Sequence, residues 1–369
     1  MAYKISGTLN ESARILVLKE SDWSIESNVE KSAGDYEVDN LVSGTKTVVA
    51  IDGAGEVVGY GSVSPEYYGG DRGIIGGGYN GSSVINTLEY ITISTIGNAA
   101  DFGDLVLERY EMDATSNASG DKGVFGSGRD INLASLNSLD YITISVAGNA
   151  TSFGELTTKK YKLAATSNAT NNRGIFGGGY DDSNCLNVID YITISSPGNA
   201  TDFGDLTVAR RTTGATSNGI NNRGVFASGK TGSGDYVNTI DYITISSLGN
   251  AIDFGDLIAK RIVAATSNSI HDRGVSGGGY DGSNPLNVME YITISSLGNA
   301  TDFGDLTMPR TSLTATSNGT DDRGVFCGGH YISSYYNTID YITISTIGNA
   351  SDFGDLTVSK TSVAATSDA

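Results

Sequence analysis

A chain of 369 residues can hold two or three domains, and its 49 glycines, 4 prolines and abundant Ser, Thr and Asn favour short strands and tight turns over helices. A formal charge of −19, from 42 acidic and 23 basic residues with no Lys/Arg cluster, repels phosphate backbones and argues against nucleic-acid binding. No stretch approaches the eighteen apolar residues of a membrane span, so insertion is not expected, and Cys185 and Cys327 make no disulfide framework.

Residues 1–64 do not repeat. Strand-like runs occur at Tyr3–Ser6, Ala13–Leu18, Tyr36–Val38, Thr47–Ala50 and Val57–Tyr60, separated by turns rich in Gly, Asn and Asp. That pattern predicts a small β-sandwich. The opening MAYKISGTL lacks the basic and long apolar regions of a signal peptide, so Sec-type export is not expected. Ser64-Pro65-Glu66 marks the boundary, because Pro resists continuing a strand. The expected domains are therefore 1–64 and 65–369.

From about Tyr67 onward one motif of roughly fifty residues recurs six times. Its YITIS tyrosine stands at 90, 141, 191, 242, 291 and 341, and the phenylalanine of its DFGDL phrase at 102, 153, 203, 254, 303 and 353. ATSN or ATSD follows each time, and a cation followed by Gly opens each unit at Arg72, Lys122, Arg173, Arg223, Arg273 and Arg323. Each unit reads as four strands: A-A-T-S, the apolar run ending in glycines, D-Y-I-T-I-S with its period-2 alternation, and D-F-G-D-L with Phe and Leu aimed at a neighbour. Four short strands per unit is the arithmetic of a propeller blade. The first unit lacks an A-A-T-S strand before Arg72, while the last continues past Leu356 into a surplus one. Pairing of that C-terminal strand into the first blade accounts for both ends, whereas an open solenoid would need caps. The predicted fold is all-β: a six-bladed β-propeller closed by its C-terminal strand, preceded by the small sandwich.

Recurrent polar residues read as frame. Arg72, Arg173, Arg223, Arg273 and Arg323 are expected to pair with acids of an adjacent blade. Asn187 and its equivalents, four residues before the Tyr, are expected to satisfy turn amides. Asp202 and Asp205 read as acids bonded to turn backbones, since the second unit has Ser152 and Glu155 there and no calcium-loop spacing occurs. His271 and His330 lie in loops one unit apart and read as surface residues rather than metal ligands. The DFG tripeptide recurs inside strands without the loops of a kinase. No catalytic residue, metal or cofactor is expected.

The loops following the glycines vary strongly between units, and so do the segments after D-F-G-D-L, such as Glu108-Arg109-Tyr110, Lys159-Lys160-Tyr161 and Arg210-Arg211. A rigid scaffold carrying diverse loops rich in Tyr, Asp, Asn and Ser makes a recognition surface. The candidate recognition residues are Tyr79 and Asn80, Arg129 and Asp130, Tyr180 and Asp181, Lys230, Tyr280 and Asp281, and His330, Tyr331, Tyr335 and Tyr336.

Three resemblances add to this reading. The Gly178-Gly179, Tyr191, Phe203 and Arg210 series, repeated as Gly278-Gly279, Tyr291, Phe303 and Arg310, resembles the kelch repeat. Phe stands where kelch units usually have Trp, and Ser127-Gly128 and Ser228-Gly229 replace the doublet in two units. The resemblance implies that the two variable loop sets share one face. The stretch from Gly34 to Gly44 is similar to carboxypeptidase-regulatory-like sandwiches. The whole pattern resembles kelch-like virion proteins of tailed, marine-type bacteriophages. That last resemblance implies a non-enzymatic virion structural protein: a tail-fibre or appendage component, or alternatively a capsid decoration or head-fibre protein, with a polysaccharide-active enzyme a weaker alternative. It implies attachment to other virion proteins through the N-terminal domain and a propeller displayed to a host glycan or receptor.

Overall fold

The computed structural model describes residues 71–117, 121–168, 172–218, 221–268, 271–318 and 322–367, together with the backbone of the strands before residue 68. The chain divides into two compact units, Met1–Gly70 and Asp71–Ala369. The first unit has two antiparallel sheets. One orders Gly34–Leu41, Tyr3–Leu9 and Glu66–Tyr67; the other orders Ile25–Lys31, Ala13–Lys19, Lys46–Ile51 and Val57–Val63. Glu66–Tyr67 pairs with the first strand, which carries this unit past the expected boundary. Ser64 and Pro65 themselves lie outside the described residues, as do Val42, Ser43 and Gly44 of the sandwich-like phrase.

The second unit is a six-bladed propeller of small antiparallel sheets. Blade 3 is representative, with Ala164–Ser167 innermost, then Arg173–Gly177, Val188–Thr193 and Thr201–Asp205 at the rim. These are the four strands read from the repeat. The inner strands neighbour one another around a closed ring. Blade 1 is completed by Ala364–Ser367, which pairs antiparallel with Arg72–Gly76 in the register Ala364↔Gly76, Ala365↔Ile75, Thr366↔Ile74 and Ser367↔Gly73.

Every seam between blades has its own hydrophobic cluster. At the seam of blades 3 and 4, Phe203 and Leu206 pack with Phe226, Ile243 and Ile245; at the closing seam, Phe353 and Leu356 pack with Ile91 and Ile93. The glycine ending the second strand is part of this fit. A Cβ on Gly76, Gly126, Gly177 or Gly277 would lie 2.6–2.9 Å from the Phe ring of the next blade. Blade 4 has Ala227 at this place, and the next blade answers with Ser276 in place of Phe. Volume is thus conserved across that seam rather than within a blade.

The phrase G-N-A…D-F-G-D is also an inter-blade device. Asn98, Asn149, Asn199, Asn250, Asn299 and Asn349 each accept, through Oδ1, the backbone N–H at the last residue of the preceding blade's outer strand, at 3.0–3.1 Å. The DFG glycine adopts φ of 137–158° in this contact, and a Cβ there would come within 2.2–2.5 Å of the neighbour's Gly carbonyl. The expectation for Asp202 and Asp205 is therefore corrected: the recurring bond at Asp205 uses its backbone N–H, with the carboxamide of Asn250 as acceptor. Asn187 and its equivalents do satisfy a turn amide, but through the backbone. The carbonyl of Asn187 accepts the N–H of Leu206 at 2.8 Å and that of Asn238 the N–H of Leu257 at 2.8 Å, while Asn238 Nδ2 donates in return to the Leu257 carbonyl at 3.2 Å.

The opening arginines are corrected too. Arg173, Arg223, Arg273 and Arg323 donate to the carbonyls of Ile245, Ile294, Ile344 and Ile93 in the next blade at 2.7–2.8 Å. Each lies over the Tyr ring of its own blade, 4.4–5.0 Å from the centroid, and Arg72 follows the same plan over Tyr90 toward Ile144 and Ser145. A strand-end carbonyl is an acceptor within reach of the guanidinium, and the ring face supplies a cation–π contact.

Ring closure makes the C-terminal strand a structural necessity. Removing residues 362–369 is expected to lower the melting temperature of the whole propeller by about 10 °C or more. A thermal scan in which only a minor local transition changes would contradict this.

Candidate recognition site

The two variable loop sets meet on one face, because each linker between blades is held by both of its neighbours. The linker carries a cation seven residues after the DFGDL phenylalanine: Arg109, Lys160, Arg210, Arg261, Arg310 or Lys360. Its carbonyl accepts the N–H of the second residue of the glycine pair in the blade behind, from Gly78, Gly128, Gly179, Gly229, Gly279 and Gly329, at 2.9–3.3 Å. Its side chain reaches the blade ahead and pairs with the acid preceding the YITIS tyrosine. Lys160–Asp190, Arg210–Asp241, Arg261–Glu290, Arg310–Asp340 and Lys360–Glu89 are 2.8–3.0 Å apart, and Arg109 pairs with Asp140. All six pairs are buried, and burial pulls the Arg and Lys groups below their usual range against the pull of the acids. Each acid is fixed further by the segment just after the outer strand, as where Thr207 gives Asp241 both its N–H (3.1 Å) and its hydroxyl (2.6 Å).

The residue after each buried cation pairs, backbone to backbone, with the first variable residue of the next blade's loop. The six pairings are Thr361↔Tyr79, Tyr110↔Arg129, Tyr161↔Tyr180, Arg211↔Lys230, Ile262↔Tyr280 and Thr311↔His330. The candidate loop residues thus stand at equivalent places around one annulus. Rings meet across it: Tyr79 lies 5.7 Å from Tyr335 and 6.4 Å from Tyr110, Tyr161 lies 5.6 Å from Tyr180, Tyr236 lies 5.8 Å from Tyr280, and His330 lies 6.0 Å from Tyr335. Cations cover several of them, with Arg129 over Tyr161 at 4.0 Å, Arg211 over Tyr180 at 4.2 Å and Lys230 over Tyr236 at 4.9 Å. Tyr331 is exposed in a short hairpin beside Ile332, and the Tyr336 backbone is tied to Gly329 and Lys360.

The loop Asn and Asp candidates have a different role. Asn80 Oδ1 accepts the N–H groups of Ser82 and Ser83, Asp181 those of Ser183 and Asn184, Asp281 those of Ser283 and Asn284, and Asp130 those of Asn132 and Ala134. These bonds hold the carboxyls of Asp130, Asp181 and Asp281 below their usual range. They shape the loops on which the tyrosines are carried. Tyr110, Tyr161, Arg211 and Tyr236 join the annulus although they are not among the candidates. Three of them follow a buried cation, and their constant offset from the DFGDL phenylalanine is the signal that finds them.

Of the histidines, His330 Nδ1 lies 2.9 Å from the Thr361 hydroxyl, and burial lowers its basicity, while His271 Nε2 lies 3.3 Å from Asp322. Among the described residues no group of three His, Cys, Asp or Glu side chains is placed to hold a metal ion. Cys185 and Cys327 are free thiols. Searches against protein-family models and against curated proteins give no match.

Inside the annulus the inner strands surround a cavity of about 230 Å3. At the first place of the inner strand its wall carries the small neutral residues Gly214, Ala264 and Thr314, whereas blade 2 places Asp113 there. The Asp113 carboxylate accepts the N–H of Ala165 at 2.7 Å and of Ala114 at 2.9 Å. Desolvation outweighs these bonds and raises its pKa from 3.8 to about 7. Between those values the unfolded chain releases this proton while the folded chain keeps it, so Asp113 makes stability fall as pH rises through that window and level off above it. Asp113→Asn gives up one of these two acceptors but does not ionise, so its stability relative to wild type is expected to rise from pH 4 to pH 7 and to be constant beyond. Thermal melts of both proteins across that range check this; parallel curves would contradict it.

Proposed function

We propose that this chain is a non-enzymatic bacteriophage virion protein, a tail-fibre or appendage component whose propeller binds a glycan of the host surface through the annulus of loop residues. The observation that carries the reading is the concentration of half-buried tyrosines, with arginine, lysine and histidine among them, at the seams of one face. Everything beneath those seams repeats, and this layer does not. Aromatic rings offer flat apolar surface for the C–H faces of sugars, and flanking polar groups orient hydroxyls. The resemblance of the repeated phrase to phage virion proteins supports placement on a particle, with the Met1–Gly70 unit as anchor to a neighbouring virion protein.

A glycan array carrying host-surface oligosaccharides tests the binding. The full chain is expected to select a restricted set, and Tyr180→Ala to weaken that binding about tenfold with the melting temperature little changed. Release of shortened saccharides from the host polysaccharide would contradict the non-enzymatic reading. Labelling of purified particles with antibody to the propeller is expected on the tail; labelling on the head would contradict the appendage assignment.

A further inference from the structure

One seam departs from the other five in charge. At the junction of blades 3 and 4 the paired residues are both cations, Arg211 opposite Lys230. The equivalent pairs elsewhere are Thr361–Tyr79, Tyr110–Arg129, Tyr161–Tyr180, Ile262–Tyr280 and Thr311–His330. Like charges directly opposite one another on antiparallel strands repel. Other half-exposed cations of this face have acid partners, Arg129 with Asp182 and Lys162 with Glu111, both at 3.1 Å. Among the described residues neither Arg211 nor Lys230 has a carboxylate within ion-pair distance, although the chain carries 42 acids. The nearby Asp181 and Asp281 are committed to the turns of their own loops.

Both cations are held by rings. Arg211 lies over Tyr180 at 4.2 Å and Lys230 over Tyr236 at 4.9 Å, while Tyr161 and Tyr280 meet those tyrosines edge-on. The thiol of Cys185 bonds the Lys230 carbonyl at 3.4 Å, which ties the two loops together beneath. The result is a half-buried pair of positive groups between two tyrosines, set by strand register rather than by flexible side chains.

We infer that this seam is an anion subsite, which takes the carboxylate or sulfate of an acidic sugar residue within the bound glycan. The guanidinium fork of Arg211 matches a carboxylate or sulfate edge, Lys230 adds a point charge, and the tyrosines bracket the sugar ring. The net charge of −19 narrows the ligand further. A dense polyanion would be repelled by the rest of the surface, whereas one acidic group on an otherwise neutral oligosaccharide meets only the local field.

This inference rests on the glycan-binding reading and goes beyond it in naming the charge. Its test is an array of three matched sets of oligosaccharides: neutral, bearing one carboxylate, and bearing one sulfate. The full chain is expected to bind members of the acidic sets, with affinity falling as salt rises. Arg211→Gln combined with Lys230→Gln is expected to reduce that binding about tenfold or more, with an unchanged melting temperature and lost salt dependence. The control Lys260→Gln, at an exposed lysine outside the seam, is expected to bind as wild type. Binding of neutral oligosaccharides only, equal in wild type and double variant, would overturn the subsite and leave the glycan reading standing. Absence of binding to all three sets would overturn both.

Discussion

A buried cation at each seam is the contact on which the rest of this propeller depends. Its backbone carbonyl is bound by the blade behind and its side chain by the acid of the blade ahead, so one residue spans the joint twice. Taking both charges out of water is costly, and the geometry recovers that cost only when the acid's remaining oxygen lone pairs are filled as well. At blade 4 they are, since Asp241 also accepts the N–H and hydroxyl of Thr207. The glycine pair behind each cation follows from the same contact. Its first residue takes a positive φ, and Ser127 and Ser228 adopt it too, at 66°. At blade 2 the Ser127 hydroxyl helps to hold that conformation by bonding the Lys160 and Leu136 carbonyls.

Because the joints repeat, the surface above them is free to differ. The residue following each cation is fixed in place by backbone pairing alone, which accepts Thr, Tyr, Arg or Ile equally. The loop residue opposite is placed the same way, and Asn or Asp side chains close several of the loop tips. Side-chain identity at the annulus is thereby separated from stability, the condition under which a rigid frame can carry a changing recognition surface. The doubled positive charge at Arg211 and Lys230 is a departure that such a frame tolerates and that packing does not require.

Much of the fold was legible because strand periodicity, glycine punctuation and an unmatched terminal strand all pointed the same way. The closing strand in particular followed from which element was missing at one end and surplus at the other. Partners were harder to read. Lys and Arg are usually exposed, so Arg109 and Lys160, set among variable neighbours, read as surface loops although they are among the most buried side chains. Arg173 and its equivalents read as ion-paired because sequence displays carboxylates but not strand-end carbonyls. The strand Ile25–Lys31 has no signature in the sequence because its residues, IESNVEK, carry little apolar alternation. The tyrosines of the annulus were visible one by one, while their pairing across seams depends on register.

The seam claim is tested most directly by a double-substitution cycle on Arg210 and Asp241, followed by chemical denaturation of the propeller. Arg210→Met alone leaves a buried carboxylate without its partner and is expected to cost about 3–5 kcal/mol. Joining it with Asp241→Leu, which removes both charges from the seam, is expected to restore most of that loss. Wild-type stability in Arg210→Met, or losses that simply add in the double variant, would contradict the account.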